Sequence, residues 1–377
     1  MNETWWVNAS QLDDDQKEVL KASPDDSLLI TGPPGSGKTN ILVLRANYVR
    51  YKYPRLLFVT FTRTLAEFIK AGPTIGRADQ IKHEEIVTFM AWGKRVLRDA
   101  GVNPVLGNGT FRSQRKNLVK ALIDYLDNQR PGRLYDVVFV DEVQDFLEDE
   151  LTVLSRLSYH INGAGDSRQT IWSHKEGLPA MEVLSSKKVE LTWHYRIGEK
   201  ICKFADRILP PKLGDADMIQ GCKYDEAKLP SSVRSVASAN SDLEYQACID
   251  NIRNQLRYVV DEPILVVAHT IACRDAFWSA LSAHGDLIDN AVLQSNEGYE
   301  AFTSDAMIRV MTIASAKGSE ARGVHILQAH KLDTSFRELA FTAVTRAKTE
   351  VILYHIEPLP GHLIPPDDTL PELDALF

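Results

Sequence analysis

Short apolar runs alternate along the chain with polar turns and longer stretches of helical periodicity. The runs are rich in β-branched residues and are continuously apolar, which indicates strands buried on both faces. Nine strands are predicted, at residues 27–31, 56–60, 137–140, 161–164, 189–191, 264–268, 308–312, 324–327 and 351–354. Buried strands separated by helices are typical of parallel α/β sheets, and a chain of 377 residues accommodates two of them.

A boundary between two lobes is predicted near residue 190. A helical pattern follows from about 198 to 208 and stops at Pro210 and Pro211. We therefore expect a first lobe over 1–190, which carries a small helical insert at about 103–134, and a second lobe over 191–356. Residues 357–377 are acidic and rich in proline, so we expect them to form a tail.

The composition is that of an ordinary globular protein. Hydrophobic residues make up 44% and charged residues 25% of the chain, which excludes a collagen-like or largely disordered protein. The longest fully apolar run covers only 264–268, far too few residues to span a membrane. The first residues lack the features of a signal peptide, and the prediction is a cytoplasmic protein with no membrane partner.

Four cysteines are spread through the second half of the chain, at positions 202, 222, 248 and 273. They are at least 20 residues apart, so none forms the close pair of a zinc knuckle or a redox CxxC motif. The spacing therefore predicts reduced thiols with mainly structural roles.

The net charge is −8, which by itself disfavours a polyanionic partner. The charge is unevenly distributed, however. The predicted tail has five acidic and no basic residues, whereas residues 51–135 carry fifteen bases and seven acids. An anionic ligand is therefore compatible with the first lobe, although a basic segment alone is more often a solvated surface.

The strongest chemical signal is the sequence GPPGSGKT at 32–39, which fits GxxxxGK[ST] between a predicted strand and a predicted helix. In such a P-loop, glycines let backbone N–H groups surround the phosphates, and the helix N-terminus favours the anion. Lys38 would reach the β- and γ-phosphate oxygens, and Thr39 would supply a magnesium ligand. This pattern predicts ATP as the nucleotide.

A second signal is an apolar strand that ends in two carboxylates, Asp141 and Glu142. At the tip of a strand, Asp141 can hold Mg²⁺ beside Thr39, while Glu142 can orient and deprotonate an attacking water. An acidic loop cap is the alternative for such a pair. Together with the P-loop, the two carboxylates indicate ATP hydrolysis.

Beyond these two, further segments follow in the order found in superfamily 1 helicases of the UvrD/Rep/PcrA type, which the chain resembles over nearly its whole length. The matching segments are LDDDQ at 12–16, TFTRTLA at 60–66, VTF at 87–89, DEVQD at 141–145, GDSRQTIW at 165–172, LTWHYR at 191–196, TIASAKGSE at 312–320 and AFTAVTRA at 340–347. The resemblance implies two RecA-like lobes with an ATP site in the cleft between them.

The resemblance also implies roles around the nucleotide. Gln16 would read the adenine edge, Tyr195 would stack on the base, Gln169 would sense the γ-phosphate, and Arg196 and Arg346 would act as arginine fingers. The implied catalytic residues are Lys38, Asp141, Glu142, Gln169, Arg196 and Arg346. The implied ATP-binding residues are Gln16, Gly32, Gly35, Ser36, Gly37, Lys38, Thr39, Tyr195, Gly318 and Glu320, of which Glu320 would contact the ribose.

In this family a nucleic-acid strand lies across both lobes, with bases on aromatic rings and phosphates held by Thr, Ser and Lys. The matching residues are Phe61, Thr62, Arg63, Thr88, Phe89, Trp172, His174, Ser315 and Lys317. For Phe89 and Trp172 a place in the core is the alternative. The chain departs from the family at four positions: His194 replaces the usual Asn, His174 replaces a Trp, Ala314 replaces a His, and Asn40 replaces the Arg that usually follows the P-loop Thr.

The resemblance implies an ATP-dependent DNA helicase that moves 3′ to 5′ on single-stranded DNA or a tailed duplex. Compared with full-size relatives, the 2B domain is absent and 1B is reduced. The alternatives are an ATP-gated DNA-end sensor that regulates a partner nuclease, as in anti-phage systems, and an RNA-directed motor. A nuclease or a replication or repair protein is therefore an expected partner, and the end of the tail, 367–377, is a candidate docking peptide.

Overall fold

The computed structural model describes residues 9–366, except 73–74, 77–78, 170–174, 213–216, 260–261 and 295–305. The described residues form two compact units. One holds the residues up to Gly32 together with Gly37–Thr192, and the other holds Pro33–Ser36 together with the residues from Trp193 onward. Each unit is built on its own parallel sheet.

The first unit is organised around a six-stranded sheet in the order β3-β2-β4-β5-β1-β6, and all of its strand pairs are parallel. Its strands are β1 (Leu28–Thr31), β2 (Leu56–Thr60), β3 (Ile86–Thr88), β4 (Tyr135–Val140), β5 (Ser158–Gly165) and β6 (Lys187–Glu190). Its helices are α1 (Asp14–Lys21), α2 (Lys38–Arg50), α3 (Arg63–Lys70), α4 (Phe89–Asp99), α5 (Phe111–Gln129), α6 (Glu148–Arg156) and α7 (Gly177–Leu184). The apolar side chains of β1, β2 and β4 divide between two buried clusters, as expected for a sheet covered on both faces.

The second unit repeats this architecture, with the strand order β7-β12-β11-β8-β10-β9 and only parallel pairs. Its strands are β7 (Ser232–Ala237), β8 (Ile264–Ala268), β9 (Ala291–Leu293), β10 (Ile308–Thr312), β11 (Ala321–Leu327) and β12 (Ala347–His355). Its helices are α8 (Glu199–Ile208), α9 (Ser241–Gln255), α10 (Ile271–Ser282), α11 (Gly285–Ile288) and α12 (Arg337–Val344). The fold is therefore α/β with two RecA-like lobes.

All nine strands predicted from apolar runs are present. The prediction missed β3, β7 and β9, and each of these lies at an edge of its sheet. An edge strand packs on fewer neighbours, and each of these three strands has only one buried residue. They therefore lack the continuous apolar run on which the prediction depended.

The C-terminal segment departs from the expected tail in its first part. A short 3₁₀ turn at Gly361–Leu363 packs on the second unit, and Leu363 is fully buried in that unit's core. The burial of an apolar side chain outweighs the proline-rich composition here. Residues 367–377, including the candidate docking peptide, lie outside the described residues. None of the described helices is long and apolar enough to cross a membrane.

Candidate active site

The P-loop joins β1 to α2 at the carboxyl edge of the first sheet. Gly37 adopts a left-handed φ of 82° and caps the N-terminus of α2, a conformation that other residues adopt at a cost. The Lys38 ammonium donates a hydrogen bond of 2.8 Å to the main-chain oxygen of Gly32 and lies 4.0 Å from Asp166 Oδ2. Lys38 thus curls over the loop, at the position where a P-loop holds phosphates.

The carboxylate of Asp141 lies next to the P-loop. Asp141 directly follows β4, and its Oδ2 accepts a hydrogen bond of 2.7 Å from the hydroxyl of Thr39, at the start of α2. Burial and, to a smaller extent, the nearby charge of Glu142 raise the pKa of Asp141 to about 7. A carboxylate that is buried beside a second acid and a hydroxyl gains most from a bound cation.

Glu142 is held in an unusual backbone conformation. Its φ is 56°, in the left-handed region that few non-glycine residues occupy, and the backbone N–H donates to Asp141 Oδ1 at 2.9 Å. Such strain persists only where the surroundings fix it, and it is common at active sites. The next residues, Val143–Asp145, form a 3₁₀ turn that packs below the carboxylate.

Gln144 connects Glu142 to the loop that follows β5. Its amide nitrogen donates to the carboxylate of Glu142, and its Oε1 accepts a hydrogen bond of 3.0 Å from the backbone N–H of Asp166. Gly165 makes this contact possible, because a Cβ at that position would lie 2.6 Å from Gln144 Oε1. The bridge fixes the candidate base relative to the partner of Lys38. We had not assigned Gln144 or Asp166 a role from the sequence, although both lie within the recognised motifs.

The residues at this edge fit a magnesium–nucleotide complex. Hydroxyl and carboxylate oxygens are hard ligands of the kind that Mg²⁺ prefers, and Thr39 and Asp141 present one of each within hydrogen-bond distance. Burial raises the pKa of Asp141, and a bound cation would favour the charged form of this carboxyl group. Thr39 and Asp141 are therefore the residues that would hold the cation.

Gln16 lies beside the P-loop, as the resemblance implies. It forms a capping box with Asp13 at the start of α1: Asp13 N–H donates to Gln16 Oε1 at 3.2 Å, and Gln16 N–H donates to Asp13 Oδ1 at 2.8 Å. Its amide Nε2 is close to Gly37, where an added Cβ would approach it to 3.2 Å.

The other end of α1 is held by Arg45, whose buried guanidinium donates to the carbonyls of Val19 and Ala22.

Arg115 attaches the insert to the carboxylate loop. The guanidinium is buried, forms an ion pair with Glu150, and donates to the main-chain oxygen of Asp145 at 2.9 Å. It also lies 4.7 Å from the ring centroid of Phe61, a candidate nucleic-acid residue. The helix that carries Arg115, α5, occupies part of the expected insert, and Arg115 links it to the carboxylate loop.

The first-unit candidates for nucleic acid follow neighbouring strands. Thr62 lies two residues after the end of β2 and caps α3, whereas Thr88 ends β3 and caps α4. Phe61 is half-buried and Arg63 is exposed. Because β2 and β3 are paired and parallel, these residues lie along the same edge as the P-loop.

Phe89 is a correction to the sequence prediction. Its side chain is only 3% exposed, and its ring packs against Trp92 and Phe146 in the core. The Phe89 ring therefore packs in the core beside the carboxyl edge of the sheet and is not exposed to a nucleic-acid base. Trp172 and His174 lie outside the described residues, and Gln169, which precedes them, is buried at the end of a 3₁₀ turn.

In the second unit, the resemblance assigned Arg196 and Glu320 to the same nucleotide. The two form an ion pair of 2.9 Å. Arg346 is buried and donates to the main-chain oxygens of Thr342, at 3.1 Å, and Ser319, at 3.4 Å. Both guanidinium groups therefore have partners within their own unit, close to the loop that follows β10.

That loop carries the remaining candidates. Gly318 has a left-handed φ of 80°, and the Ser315 hydroxyl lies 3.0 Å from that of Thr312. Lys317 is buried, so its ammonium is not presented to solvent in this structure. Tyr195, in contrast, is 38% exposed.

Comparisons with known proteins give two family matches. Residues 16–174 match the AAA domain model, and residues 307–354 match the model of the UvrD-like helicase C-terminal domain. No curated protein matches the chain.

Solved helicase structures show only a distant likeness. The PRRSV helicase is 15% identical with a TM-score of 0.42, covering 90% of this chain, and this chain spans only 54% of that protein. The C-terminal domain of a possible DNA helicase from Lactobacillus plantarum is 22% identical with a TM-score of 0.33, over 45% of this chain and 92% of that one.

The family matches agree with the motifs and with the fold. The AAA match covers the unit that holds Lys38, Asp141 and Glu142, and the UvrD-like match covers β10 to β12 of the other unit. The two matches are those expected of a UvrD-type superfamily 1 helicase, the family that the chain resembles.

Proposed function

We propose that this protein is an ATP-dependent helicase and translocase that moves 3′ to 5′ on single-stranded DNA. The observation that carries the proposal is the assembly of Thr39, Asp141 and Glu142 at one edge of the first sheet, next to the P-loop. Along the same edge, Phe61, Thr62 and Thr88 follow the adjacent strands. ATP chemistry and strand binding are therefore supported by one rigid sheet.

Each residue has a definite chemical task in this proposal. Lys38 leaves the Gly32 carbonyl to bind the β- and γ-phosphates, while Thr39 and Asp141 hold Mg²⁺, which neutralises phosphate charge when bound. Glu142 accepts the proton of the attacking water, and Gln144 keeps its carboxylate oriented. Arg196 and Arg346 then stabilise charge on the γ-phosphate, which requires both to exchange their present partners.

Strand binding would use the carboxyl edge and its basic surroundings. Phe61 offers a ring for a base, and Thr62, Arg63, Thr88 and Ser315 offer groups for phosphates. Residues 51–135 carry eight more basic than acidic residues, which favours a polyanion. Stacking on rings tolerates any base sequence, as a translocating protein requires.

The test is strand displacement on matched duplexes. We expect release of the labelled strand from a duplex with a 3′ single-stranded tail and none from one with a 5′ tail, only with Mg²⁺ and ATP. The same measurement with RNA tails tests the choice of nucleic acid. Displacement only from 5′-tailed duplexes would contradict the polarity. ATP hydrolysis that is stimulated by single strands without any strand displacement would instead support the alternative function, an ATP-gated DNA-end sensor that regulates a partner nuclease.

The control variant must keep ATP hydrolysis separate from strand binding. Arg63→Ala removes an exposed side chain at the start of α3, away from the Thr39–Asp141 contact. We expect it to weaken binding of single-stranded DNA while leaving unstimulated ATP hydrolysis near the wild-type rate. Loss of both activities would show that the residues for strand binding and those for ATP hydrolysis are not separate along this edge, as the proposal requires.

A further inference from the structure

Three soft metal-ligand side chains converge in the second unit, outside the residues of the ATPase motifs that act on nucleotide. They are His194, Cys202 and Cys222, and one ligand atom from each lies within 4.8 Å of the other two. The distance between His194 Nε2 and Cys202 Sγ is 3.8 Å. The sequence concealed this cluster, because eight residues separate the first pair and twenty separate the two cysteines.

Two parts of the backbone position these residues, namely an isolated bridge between two extended segments and helix α8. His194 and Cys222 are partners in an isolated parallel bridge, with hydrogen bonds from His194 N–H to the Gly221 oxygen at 2.9 Å and from Lys223 N–H to the His194 oxygen at 2.8 Å. Cys202 projects from α8. His194 and Cys202 are buried, whereas Cys222 is half-buried and gives access from solvent.

The three ligand atoms are close enough together to occupy three corners of a tetrahedral metal site. Zinc bonds of about 2.3 Å to sulfur and about 2.0–2.1 Å to nitrogen place neighbouring ligand atoms roughly 3.5–3.8 Å apart. The distance of 3.8 Å between His194 Nε2 and Cys202 Sγ lies at the upper end of this range. Both sulfurs also face one oxygen, the Ile197 carbonyl, which lies 3.5 Å from Cys202 Sγ and 3.4 Å from Cys222 Sγ.

We propose that His194, Cys202 and Cys222 form a binding site for a divalent metal ion that prefers sulfur and nitrogen, namely Zn²⁺. The two thiols lose their protons to the solvent on binding, and His194 Nε2 exchanges its 2.7 Å contact with the Met218 oxygen for the metal. An imidazole has no part in a disulfide, so its presence in the cluster favours a metal over oxidation of the cysteines.

The site would stabilise the segment that carries Tyr195 and Arg196. Both residues directly follow His194, and Arg196 forms the ion pair with Glu320. A metal would tie this segment to α8 and to the strand-like segment at Cys222. Metal binding itself does not depend on the proposed helicase activity, and the two proposals therefore fail separately.

The test uses the full-length wild-type protein and cobalt as a spectroscopic probe. We expect about one zinc ion per chain by elemental analysis of protein purified with added Zn²⁺. Replacement by Co²⁺ should give the near-ultraviolet thiolate band and the intense visible bands of a tetrahedral site. Cys202→Ser and Cys222→Ser should each reduce the intensity of the thiolate band, because each removes one of the two thiolate ligands. His194→Asn should weaken Co²⁺ binding.

Cys273→Ser is the matched control, because Cys273 is a buried cysteine of the same unit whose thiol contacts Tyr245 instead. It should bind zinc like the wild type. The proposal is overturned if the wild-type protein gives no tetrahedral cobalt spectrum. It is equally overturned if metal content is unchanged in both cysteine variants, or if mass spectrometry shows a Cys202 to Cys222 disulfide in place of bound metal.

Discussion

The hydroxyl of Thr39 donates to the carboxylate of Asp141 over 2.7 Å, although 102 residues separate them. The parallel sheet creates this contact, because β1 and β4 both end at its carboxyl edge with only β5 between them. The two motifs that the sequence suggested independently are therefore brought together in one candidate cation site. The proposed chemistry depends on that site.

Thr39→Ala should remove one ligand of the cation while Thr39→Ser keeps it. The contribution of a metal ion to the transition state is several kcal/mol, so we expect the alanine variant to hydrolyse ATP on the order of 100-fold more slowly. It should also need more Mg²⁺ for half-maximal rate. A magnesium titration of ATP hydrolysis checks this, and identical titrations for the two variants would argue against the hydroxyl as a ligand.

Gln144→Leu should lower kcat for ATP with little change in KM. The substitution keeps the approximate volume but removes the amide that holds Glu142 and accepts from Asp166 N–H. Partners of this kind contribute roughly 10- to 100-fold. Steady-state kinetics measure the effect, with Gln246→Leu on the exposed face of α9 as the control. If KM alone rises, the bridge acts in binding and not in orienting the base.

Arg115→Met should destabilise the first unit by about 3–5 kcal/mol, because it leaves Glu150 as a buried charge without its partner. The double variant Arg115→Met with Glu150→Leu should recover most of that loss. Urea unfolding measures both, and Lys116→Met, at the exposed neighbouring position, is the control. If Arg115→Met and the control Lys116→Met unfold at the same free energy, the buried ion pair does not contribute to stability as proposed.

His325 should make the second unit sensitive to acid. Burial lowers the pKa of its imidazole to about 3, and its nitrogens contact Tyr354 OH and Gln255 Oε1, each at 2.8 Å. In the unfolded chain the ordinary pKa is about 6.5, so the unfolded state binds a proton first as the pH falls. The stability contributed by neutral His325 is therefore complete above about pH 6.5 and is lost towards pH 3.

His325→Gln removes the titrating group, and the comparison with wild type isolates its effect from those of other acids and bases. The advantage of the wild type in unfolding free energy should shrink by about 1 kcal/mol between pH 7.5 and pH 5.5. Urea unfolding at the two pH values measures this difference. A difference that stays constant with pH would contradict the assignment.

The sequence predicted what depends on local pattern. Buried strands such as β2 and β8 appear as continuous apolar runs, and the P-loop carries its own glycine signature. Side chains whose roles arise from long-range packing gave no such signal. Arg115 lies within the predicted helical insert, and its burial follows from contacts with Glu150 and Phe61, which are distant in sequence. Cys202 and Cys222 seemed unrelated for the same reason.

The central claim is that Glu142 serves as the base of an ATPase stimulated by single-stranded nucleic acid. The most direct measurement is phosphate release by the wild type and by Glu142→Gln, with and without single-stranded DNA, alongside nucleotide binding by fluorescence. We expect DNA to increase the wild-type rate, and the variant to bind ATP normally yet hydrolyse it about 10²–10⁴-fold more slowly. A variant that hydrolyses ATP at the wild-type rate would contradict the account.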